Sequence, residues 1–523
     1  MLTSLTIFPF PFWVVVTVLI GGGIWATSRM RDGTGIPTLA VLATVAFWYL
    51  GDAFYNDYAN YHAQLFSSGT LEKAWWQVAW FLAVFLWAIP WMNGHLNAPY
   101  LRRRSGVLQL FKAGVGQPAF QRQLQKLFQG CALVWAVLAL IAIILLRERA
   151  LHFFFPFFGE KTSPWTHGRI GRGFDSLSIV AIHVHHLIAA TFGVIAALST
   201  NYRTRMLALV CCLTSWPYFI LDRTRYLILM LVVPGVLCWV LLSLRGGILN
   251  KIAVLAIFFL LTNAWMAFII ENRSDSSIVG ALKEKGFNFK QKEEVRHEGL
   301  NMYEELCWVN TFLQQGSYNC NWGYRYFTEL VNPIPRVLWP GKPLVGLDYA
   351  LARGQGGDDD EDSGGVWATI STGVIGQGVV NFGTLIGPAF AALLMSFWVV
   401  ILTRLDLQVH EFGRLPLYGL GLALTINLGR DLTLMTLYPF IFGVMLVWWH
   451  EHHHRSARVP VRRPHQAKLR LHETRRRHAE TKAPVGRRAN SNFLWRGRRN
   501  EQPTNPSAGP QPNLSASLLP PPA

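Results

Sequence analysis

The sequence predicts an all-α integral membrane protein with about eleven transmembrane helices, one large extracytoplasmic loop and a disordered basic C-terminal tail. Of its 523 residues, 51% are hydrophobic and only 15% are charged, whereas soluble domains carry roughly 25% charged residues. Apolar runs of about 17 to 22 residues recur, and each can cross a hydrocarbon core about 30 Å thick. No internal repeat accompanies them, which excludes a solenoid or a propeller.

The predicted spans divide the chain into four regions. The N-terminal transmembrane region is 1–270, the extracytoplasmic loop with a re-entrant glycine-rich segment is 271–383, the C-terminal transmembrane helices are 384–449 and the tail is 450–523. The first apolar run has no small-residue cleavage site after it, which favours an anchor over a removed signal peptide. The spans cover residues 7–27, 36–52, 74–94, 130–146, 177–198, 206–221, 226–244, 252–270, 384–403, 415–428 and 432–449.

Lys and Arg in the short loops predict the orientation. Most of them, from Arg29 and Arg31 to Arg404 and Arg414, fall on one side together with the C-terminal tail. The positive-inside rule makes that side cytoplasmic. The N-terminus and the loop 271–365 are then outside, and we expect a multi-pass protein of the bacterial inner (cytoplasmic) membrane.

The net charge of +18 is concentrated at the C-terminus, because residues 450–523 alone contribute +11. This tail is rich in Arg, Pro, Ser and Asn and poor in large apolar residues, which predicts disorder. We expect it to lie along the anionic lipids of the inner leaflet. A nucleic-acid-binding arm is the other interpretation, and it is disfavoured because no RNA- or DNA-binding module accompanies the tail.

Several arginines on the outer side depart from the charge rule. Arg223 and Arg225 join two spans with almost no loop, and Arg430, followed by Asp431, does the same before the last span. A charge at the membrane is costly unless it is paired or used. Pairing with a neighbouring Asp or snorkelling to the interface would explain any one of them. Taken together, they favour an anion-binding cavity, since guanidinium binds phosphate oxygens in bidentate fashion.

The outer loop supplies further candidate groups. In residues 332–343 (NPIPRVLWPGKP), four prolines stiffen a path that carries Arg336, Trp339 and Lys342. His297 is the only histidine between residues 271 and 365, and it is the candidate general base. An ordinary surface histidine is the alternative. The aromatic residues of 301–330 could stack on sugars or form an interfacial belt.

A glycine-rich segment, residues 371–387, follows the loop and contains Gln377 and Asn381. Its glycines predict a turn and tight packing where the chain re-enters the membrane. A small-residue surface for helix packing is the alternative.

The residues do not favour a metal or another cofactor. The acidic run 358–362 lacks the alternating ligand spacing of an EF-hand and is better explained as a solvated segment. His183, His185 and His186 cannot converge on one ion from a single helix, because His185 points nearly opposite to the other two. A disulfide between Cys307 and Cys320, both in the outer loop, remains open.

Four elements together resemble the bacterial oligosaccharide repeat-unit polymerases of the O-antigen polymerase type. They are the sequence DRTR at 222–225, the element PRVLWPGKP at 335–343, the glycine motif from 376 to 387, and GRD at 429–431. Their order and their side of the membrane also match. The resemblance covers roughly residues 200–450, and the proline-rich element is its most specific part. Many relatives carry a Glu where this chain has Gln377.

The resemblance implies a glycosyltransferase with an architecture related to the GT-C class. It would polymerise undecaprenyl-pyrophosphate-linked repeat units into O-antigen, capsule or exopolysaccharide, beside a flippase and a chain-length regulator. Arg336, Arg430 and His297 would be catalytic. The groups expected to bind pyrophosphate and sugar are Arg223, Arg225, Lys342, Trp339, Asp431, Gln377 and Asn381. No metal or cofactor is required, because the donor is already activated.

Three other functions stay open at this stage. An O-antigen-ligase-like enzyme uses the same donor but delivers glycan to a lipid core or a protein. A flippase or another transporter of lipid-linked oligosaccharides usually has short loops and two pseudo-equivalent halves, which the single large loop disfavours. A non-catalytic assembly scaffold is the third. The sugars, their linkage and the oligomeric state are not encoded in any recognisable motif.

Overall fold

A computed structural model describes residues 8–100, 103–155, 175–220, 225–271, 301–332, 334, 338–343, 347–353 and 370–456. Within these ranges every regular element is a helix and there is no strand. The prediction of an all-α fold is therefore confirmed for the described part. The predicted tail from residue 457 onward, about half of the outer loop and the acidic run 358–362 lie outside it. Residues 450–456, which the sequence predicts to begin the disordered tail, instead continue the last helix, which ends at Ser456.

The described part of the first half of the chain contains nine α-helices of eight or more residues, numbered here in chain order. A π-helical turn at Ala46–Leu50 interrupts the second helix without ending it. The helices are α1 (Phe10–Ser28), α2 (Gly35–Tyr55), α3 (Ser68–Leu96), α4 (Gly106–Ala113), α5 (Pro118–Leu146), α6 (Asp175–Leu198), α7 (Tyr202–Ile220), α8 (Arg225–Cys238) and α9 (Ile248–Glu271).

Among the residues described in the second half, three short helices lie in the predicted outer loop and three long ones follow them. The short helices are α10 (Met302–Gln315), α11 (Tyr324–Val331) and α12 (Leu347–Ala352). The long helices are α13 (Gly373–Leu407), α14 (Arg414–Arg430) and α15 (Leu434–Ser456).

Six helices of the described part are long and apolar enough to cross a membrane, and two further apolar helices, Leu227–Ser243 and Leu249–Trp265, are shorter. Each of the eleven predicted spans falls on a helix. A multi-pass α-helical membrane protein is thus supported, while the count of eleven crossings and their orientation stay predictions. The six candidate spans are Phe10–Ser28, Gly35–Tyr55, Ser68–Leu96, Pro118–His152, Val180–Leu198 and Gly373–Leu407.

The core is centred on α3, which packs along α13 and α1, and on α8, which lies between α6 and α14. Trp75, Phe81 and Phe85 on α3 are fully buried there. Large side chains in the contact between α3 and α13 stabilise it by close van der Waals packing, which is the main attraction between helices in a membrane.

Helix α13 turns back on itself at Gly383, where φ is 78° and ψ is −176°. Only glycine adopts this conformation readily. The turn brings Gly378 against Gly387, so closely that a Cβ on Gly378 would overlap the carbonyl oxygen of Gly387. The turn and the tight packing that the glycines predict both occur. Re-entry into a bilayer stays a prediction.

Helix α10 is fixed to the end of α2 by a buried carboxylate. Asp52 accepts hydrogen bonds from the backbone N–H groups of Tyr303 (2.8 Å) and Glu304 (2.9 Å). These are unpaired donors in the first turn of α10, and a negative charge is favourable at that end of a helix. The hydroxyl of Tyr303 adds a bond of 3.0 Å to the carbonyl of Leu71 on α3. Asp52 therefore positions part of the predicted outer loop over the bundle.

Candidate functional site

The predicted site residues divide into a described and an undescribed group. Arg223, His297 and Arg336 lie outside the described residues, and Arg225 begins α8 with a side chain that is also outside the description. The described group contains Arg430, Asp431, Gln377, Asn381, Lys342 and Trp339.

Gln377 joins the first arm of the α13 hairpin to the link between α14 and α15. Its amide nitrogen donates to the carbonyl oxygen of Leu432 at 3.3 Å, and its amide oxygen accepts from the N–H of Leu432 at 3.0 Å. Both groups are next to Asp431. The fully buried amide of Gln377 therefore satisfies both backbone hydrogen-bonding groups of Leu432, the residue that follows this carboxylate.

Asn381 makes a second connection from the same arm. Its side-chain oxygen accepts from the backbone N–H of Tyr326 on α11 at 3.3 Å, and its amide nitrogen donates to the carbonyl of Gln377 at 2.7 Å. Tyr49 of α2 fixes the beginning of the arm, because its hydroxyl accepts from the N–H of Ile375 at 3.1 Å. The hairpin, α11 and the link before α15 are thereby brought to one place.

Arg325 lies at the centre of this place, although the sequence alone did not single it out. It is 2% exposed. Its Nη2 donates to the carbonyl of Ile370 at 3.2 Å and is 3.7 Å from Oδ2 of Asp431. Its Nε and Nη1 are buried without a hydrogen-bond partner. A buried guanidinium with two unused donor groups is costly in a folded protein and points to an absent acceptor.

Helix α11 has an unusual polarity, which explains how Arg325 becomes buried. Its buried residues are Arg325, Thr328, Glu329 and, at its end, Val331, whereas the apolar side chains Phe327 and Leu330 are exposed. Most surface helices bury their apolar face instead. The helix therefore presents a cation and a carboxyl, four residues apart, to the interior of the bundle.

Further polar atoms around Arg325 are buried without a hydrogen-bond partner. They are Oδ1 of Asp431, Nε of Arg430, and the hydroxyl oxygens of Tyr326 and Tyr438. Tyr326 lies within electrostatic range of Arg325 and Asp431, and Tyr438 within range of Glu329. Together with Arg325 and Glu329, these residues form what we call the buried polar cluster. Its donors and acceptors match an oxygen-rich ligand or water.

The two carboxyl groups of the buried polar cluster hold their protons more tightly than usual. Burial raises the pKa of Glu329 to about 7, repulsion from Asp431 adds to this, and Arg325 and the N–H of Leu434 oppose it. Burial also raises the pKa of Asp431, against the attraction of Arg325 and Arg430. Glu329 consequently titrates close to neutral pH.

Lys342 and Trp339 shape the proline-rich segment. The ammonium of Lys342 is buried and donates to the carbonyls of Asn332 (2.6 Å) and Ile334 (2.9 Å). The ring of Trp339 meets the ring of Phe327 edge-on at 6.5 Å between centroids. Lys342 thus links the end of the segment to Asn332 and Ile334 at its beginning. Contact of either residue with a substrate stays a prediction.

A separate group of charges on α10 and α12 is largely satisfied internally. Arg353 is 3.0 Å from Oε1 of Glu305 and lies over the ring of Trp308 at 4.5 Å. The hydroxyl of Tyr349 donates to Oε2 of Glu305 at 2.7 Å. Because the Glu305 carboxylate has partners on both oxygens, this group holds α12 on α10 and is less suited to bind a ligand.

Metal and disulfide chemistry find no support in the described part of the chain. No group of three or more His, Cys, Asp or Glu side chains there is placed to hold a metal ion. Cys307 and Cys320 are both free thiols. His183 is buried, with its ring 5.0 Å from that of Tyr438. It therefore borders the buried polar cluster through an aromatic contact.

No family model, curated protein or solved structure matches this chain. The fold itself defines the class, which is an α-helical protein whose described residues include six helices able to span a membrane by length and composition. Any narrower assignment depends on the motifs and on the buried polar cluster.

Proposed function

We propose that the chain is a membrane glycosyltransferase that polymerises undecaprenyl-pyrophosphate-linked oligosaccharide repeat units at the outer face of the bacterial inner membrane. The observation that carries the proposal is the buried guanidinium of Arg325, which has two donor groups unused and lies 3.7 Å from the carboxylate of Asp431. The motif resemblance supplies the substrate class, and the buried polar cluster supplies groups that fit its diphosphate.

The donor is a lipid whose diphosphate lies at the membrane surface. Arginine suits such a ligand because it stays charged when desolvated and its planar fork matches phosphate oxygens. In the proposed complex, Nε and Nη1 of Arg325 and Nε of Arg430 donate to the diphosphate. Asp431 keeps Arg325 in place, and Gln377 and Asn381 hold the surrounding backbone rather than the substrate.

The reaction is a displacement at the anomeric carbon of the growing glycan. The acceptor hydroxyl oxygen of a new lipid-linked repeat forms a bond to this carbon, and the bond from the carbon to the diphosphate oxygen breaks. The electron pair leaves with undecaprenyl diphosphate, and the hydroxyl proton goes to a base. Fixed cations stabilise the charge that develops on the departing diphosphate, and losing one such donor typically costs about 10² to 10³ in rate.

Arg223, Arg225 and Arg336 remain predicted contributors to the same site, and Nε of Arg430, which is buried without a hydrogen-bond partner, is the donor among these four residues that the structure describes. Lys342 and Trp339 are proposed to hold the proline-rich segment beside the donor. His297 stays a candidate base. The proposal requires no cofactor, and a flippase and a chain-length regulator are the partners that such a reaction would need.

The experiment is reconstitution of the purified protein in proteoliposomes with lipid-linked repeat units extracted from a strain that lacks its gene. We expect a ladder of lipid-linked polymers from the wild type and a loss of at least 100-fold with Arg325→Ala. Arg325→Lys, which retains the charge but not the fork, should be intermediate. Arg29→Ala is the matched control, because Arg29 is an exposed arginine that contacts Asp32 and the ring of Trp25 far from the predicted motifs in the chain.

Other outcomes would replace the proposal. Transfer of a single glycan to a lipid core or a protein would identify a ligase-like enzyme. Movement of intact repeats across the bilayer without any transfer would identify a transporter. A wild-type ladder that Arg325→Ala leaves unchanged would exclude the buried polar cluster as the donor site.

A further inference from the structure

We propose that Glu329 is the group that accepts the proton of the acceptor hydroxyl. This inference rests on the proposed function and adds a residue that the sequence motifs do not indicate. It depends on the position of Glu329 relative to Arg325, on its burial and on the groups around it.

Helix α11 places Arg325, which would bind the leaving diphosphate, one helical turn from Glu329, which would accept the proton. Arg325 and Glu329 lie at i and i+4 on the same buried face, where Cβ atoms are roughly 5–6 Å apart. In a displacement, the leaving and attacking oxygens lie on opposite sides of the anomeric carbon, with reacting atoms about 3 Å apart. A sugar whose diphosphate is bound by Arg325 would therefore have its acceptor beside Glu329.

The charged and titratable groups that face Glu329 come from three elements. Arg325 lies on the same helix, Asp431 lies on the link after α14, and Tyr438 lies on α15. The backbone N–H of Leu434, at the beginning of α15, also binds the carboxyl. These groups hold Glu329 in a fixed orientation. A diphosphate bound to Arg325 would offset the cation that now stabilises the carboxylate and would strengthen the base.

The protonation behaviour of Glu329 agrees with this role. Burial raises the pKa of this carboxyl to about 7, and a general base works best when its pKa is near the working pH. Asp431 is less suitable, because Arg325 forms an ion pair with it and the charges of Arg325 and Arg430 both favour its ionised form. Gln377 has no proton to exchange at neutral pH, and its amide is already bonded to Leu432. Many of the polymerases that this chain resembles carry a Glu where this chain has Gln377, and Glu329 would supply that carboxylate here.

The test uses the same proteoliposome assay under single-turnover conditions, from pH 5.5 to 8.5. For the wild type we expect the rate to rise with pH and to level off only above pH 7, because the bound diphosphate offsets Arg325 and raises the pKa of Glu329 beyond its ligand-free value of about 7. Glu329→Gln should lower the rate by at least 100-fold and remove this pH dependence. Because Gln still accepts a hydrogen bond from Leu434 and no longer titrates, the melting temperature should equal or exceed that of the wild type. The affinity for undecaprenyl diphosphate should stay near wild type. Glu329→Asp should recover part of the rate.

Controls separate this inference from the proposed function. Glu72→Gln, at an exposed position on α3, should behave like the wild type. An active wild type together with a fully active Glu329→Gln would overturn the role of Glu329 and leave the proposed function standing. A flat wild-type profile between pH 5.5 and 8.5 would overturn it even if the variants did not fold. A wild type that makes no polymer would overturn both.

Discussion

Arg325 and Asp431 approach to 3.7 Å in the interior of the protein, although 106 residues separate them in the chain. The contact links α11 of the predicted outer loop to the segment between the last two helices. It also holds the guanidinium of Arg325, whose Nε and Nη1 have no hydrogen-bond partner in the protein. The candidate site is therefore assembled by tertiary packing and not by a local motif.

The first prediction concerns this ion pair. Asp431→Ala leaves the guanidinium of Arg325 buried without its counter-charge, which typically costs about 3–5 kcal/mol. The double variant Arg325→Met/Asp431→Leu should recover most of that stability, because apolar replacements of a buried pair are often neutral or stabilising. Thermal unfolding of detergent-purified protein measures both. A double variant as unstable as Asp431→Ala would contradict the ion-pair explanation.

The second prediction concerns the anchor of α10. Asp52→Ala removes the acceptor for two N–H groups in the first turn of this helix. We expect a loss of roughly 1–2 kcal/mol and faster hydrogen exchange in residues 302–305. Asp32→Ala, which removes only an exposed ion pair with Arg29, should change stability by less than about 0.5 kcal/mol. Equal effects of the two substitutions would argue against the anchor.

The third prediction concerns the hairpin in α13. A methyl group on Gly378 would overlap the carbonyl of Gly387, so Gly378→Ala should destabilise the protein by roughly 1–3 kcal/mol. Gly21→Ala is the matched control, because a methyl group at that position of α1 meets nothing within 4 Å. It should be neutral or stabilising by up to about 1 kcal/mol. Similar melting temperatures for both variants would show that the two arms do not touch.

The fourth prediction is a pH dependence of stability. Burial raises the pKa of Glu329 to about 7, whereas a Glu in an unfolded chain titrates near pH 4.3. Between these values the folded protein binds more protons than the unfolded chain does, so stability falls as the pH rises through this window. Glu329→Gln removes the contribution and should gain stability over the wild type by roughly 3 kcal/mol between pH 4 and pH 8.

The melting temperatures of both proteins at pH 4.5, 6 and 8 measure the effect. Burial also raises the pKa of Asp431, so this residue likewise makes stability fall as the pH rises. Its contribution is the same in the wild type and in Glu329→Gln. The difference between them therefore isolates Glu329. A difference that does not change with pH would show that this carboxyl titrates normally.

The helices were largely predictable, because long apolar runs determine where they form. The eleven predicted spans all lie on helices, and the ends differ mostly by a few residues. Two helices begin well before their predicted spans, α5 at Pro118 instead of 130 and α13 at Gly373 instead of 384. In α13 the added residues 373–382 are rich in glycine and are nevertheless helical before the turn at Gly383. Packing of Gly378 on Gly387 outweighs the low helix propensity of glycine there.

The site was only partly predictable. Arg430, Asp431, Gln377 and Asn381 were selected from their motifs, and they do come together. Arg325 and Glu329 were missed because a charged pair in a polar loop is ordinary in sequence, and their burial depends on distant contacts with Ile370, Asp431 and Leu434. The available signal was their spacing of four residues on a helix whose other face is apolar.

The most direct measurement is equilibrium binding of undecaprenyl diphosphate to the wild type and to Arg325→Met/Asp431→Leu, with Arg29→Ala as the control. We expect the wild type and Arg29→Ala to bind undecaprenyl diphosphate with the same affinity and the stable double variant to bind it at least tenfold more weakly. Equal affinity in all three proteins would show that the buried polar cluster does not hold the diphosphate.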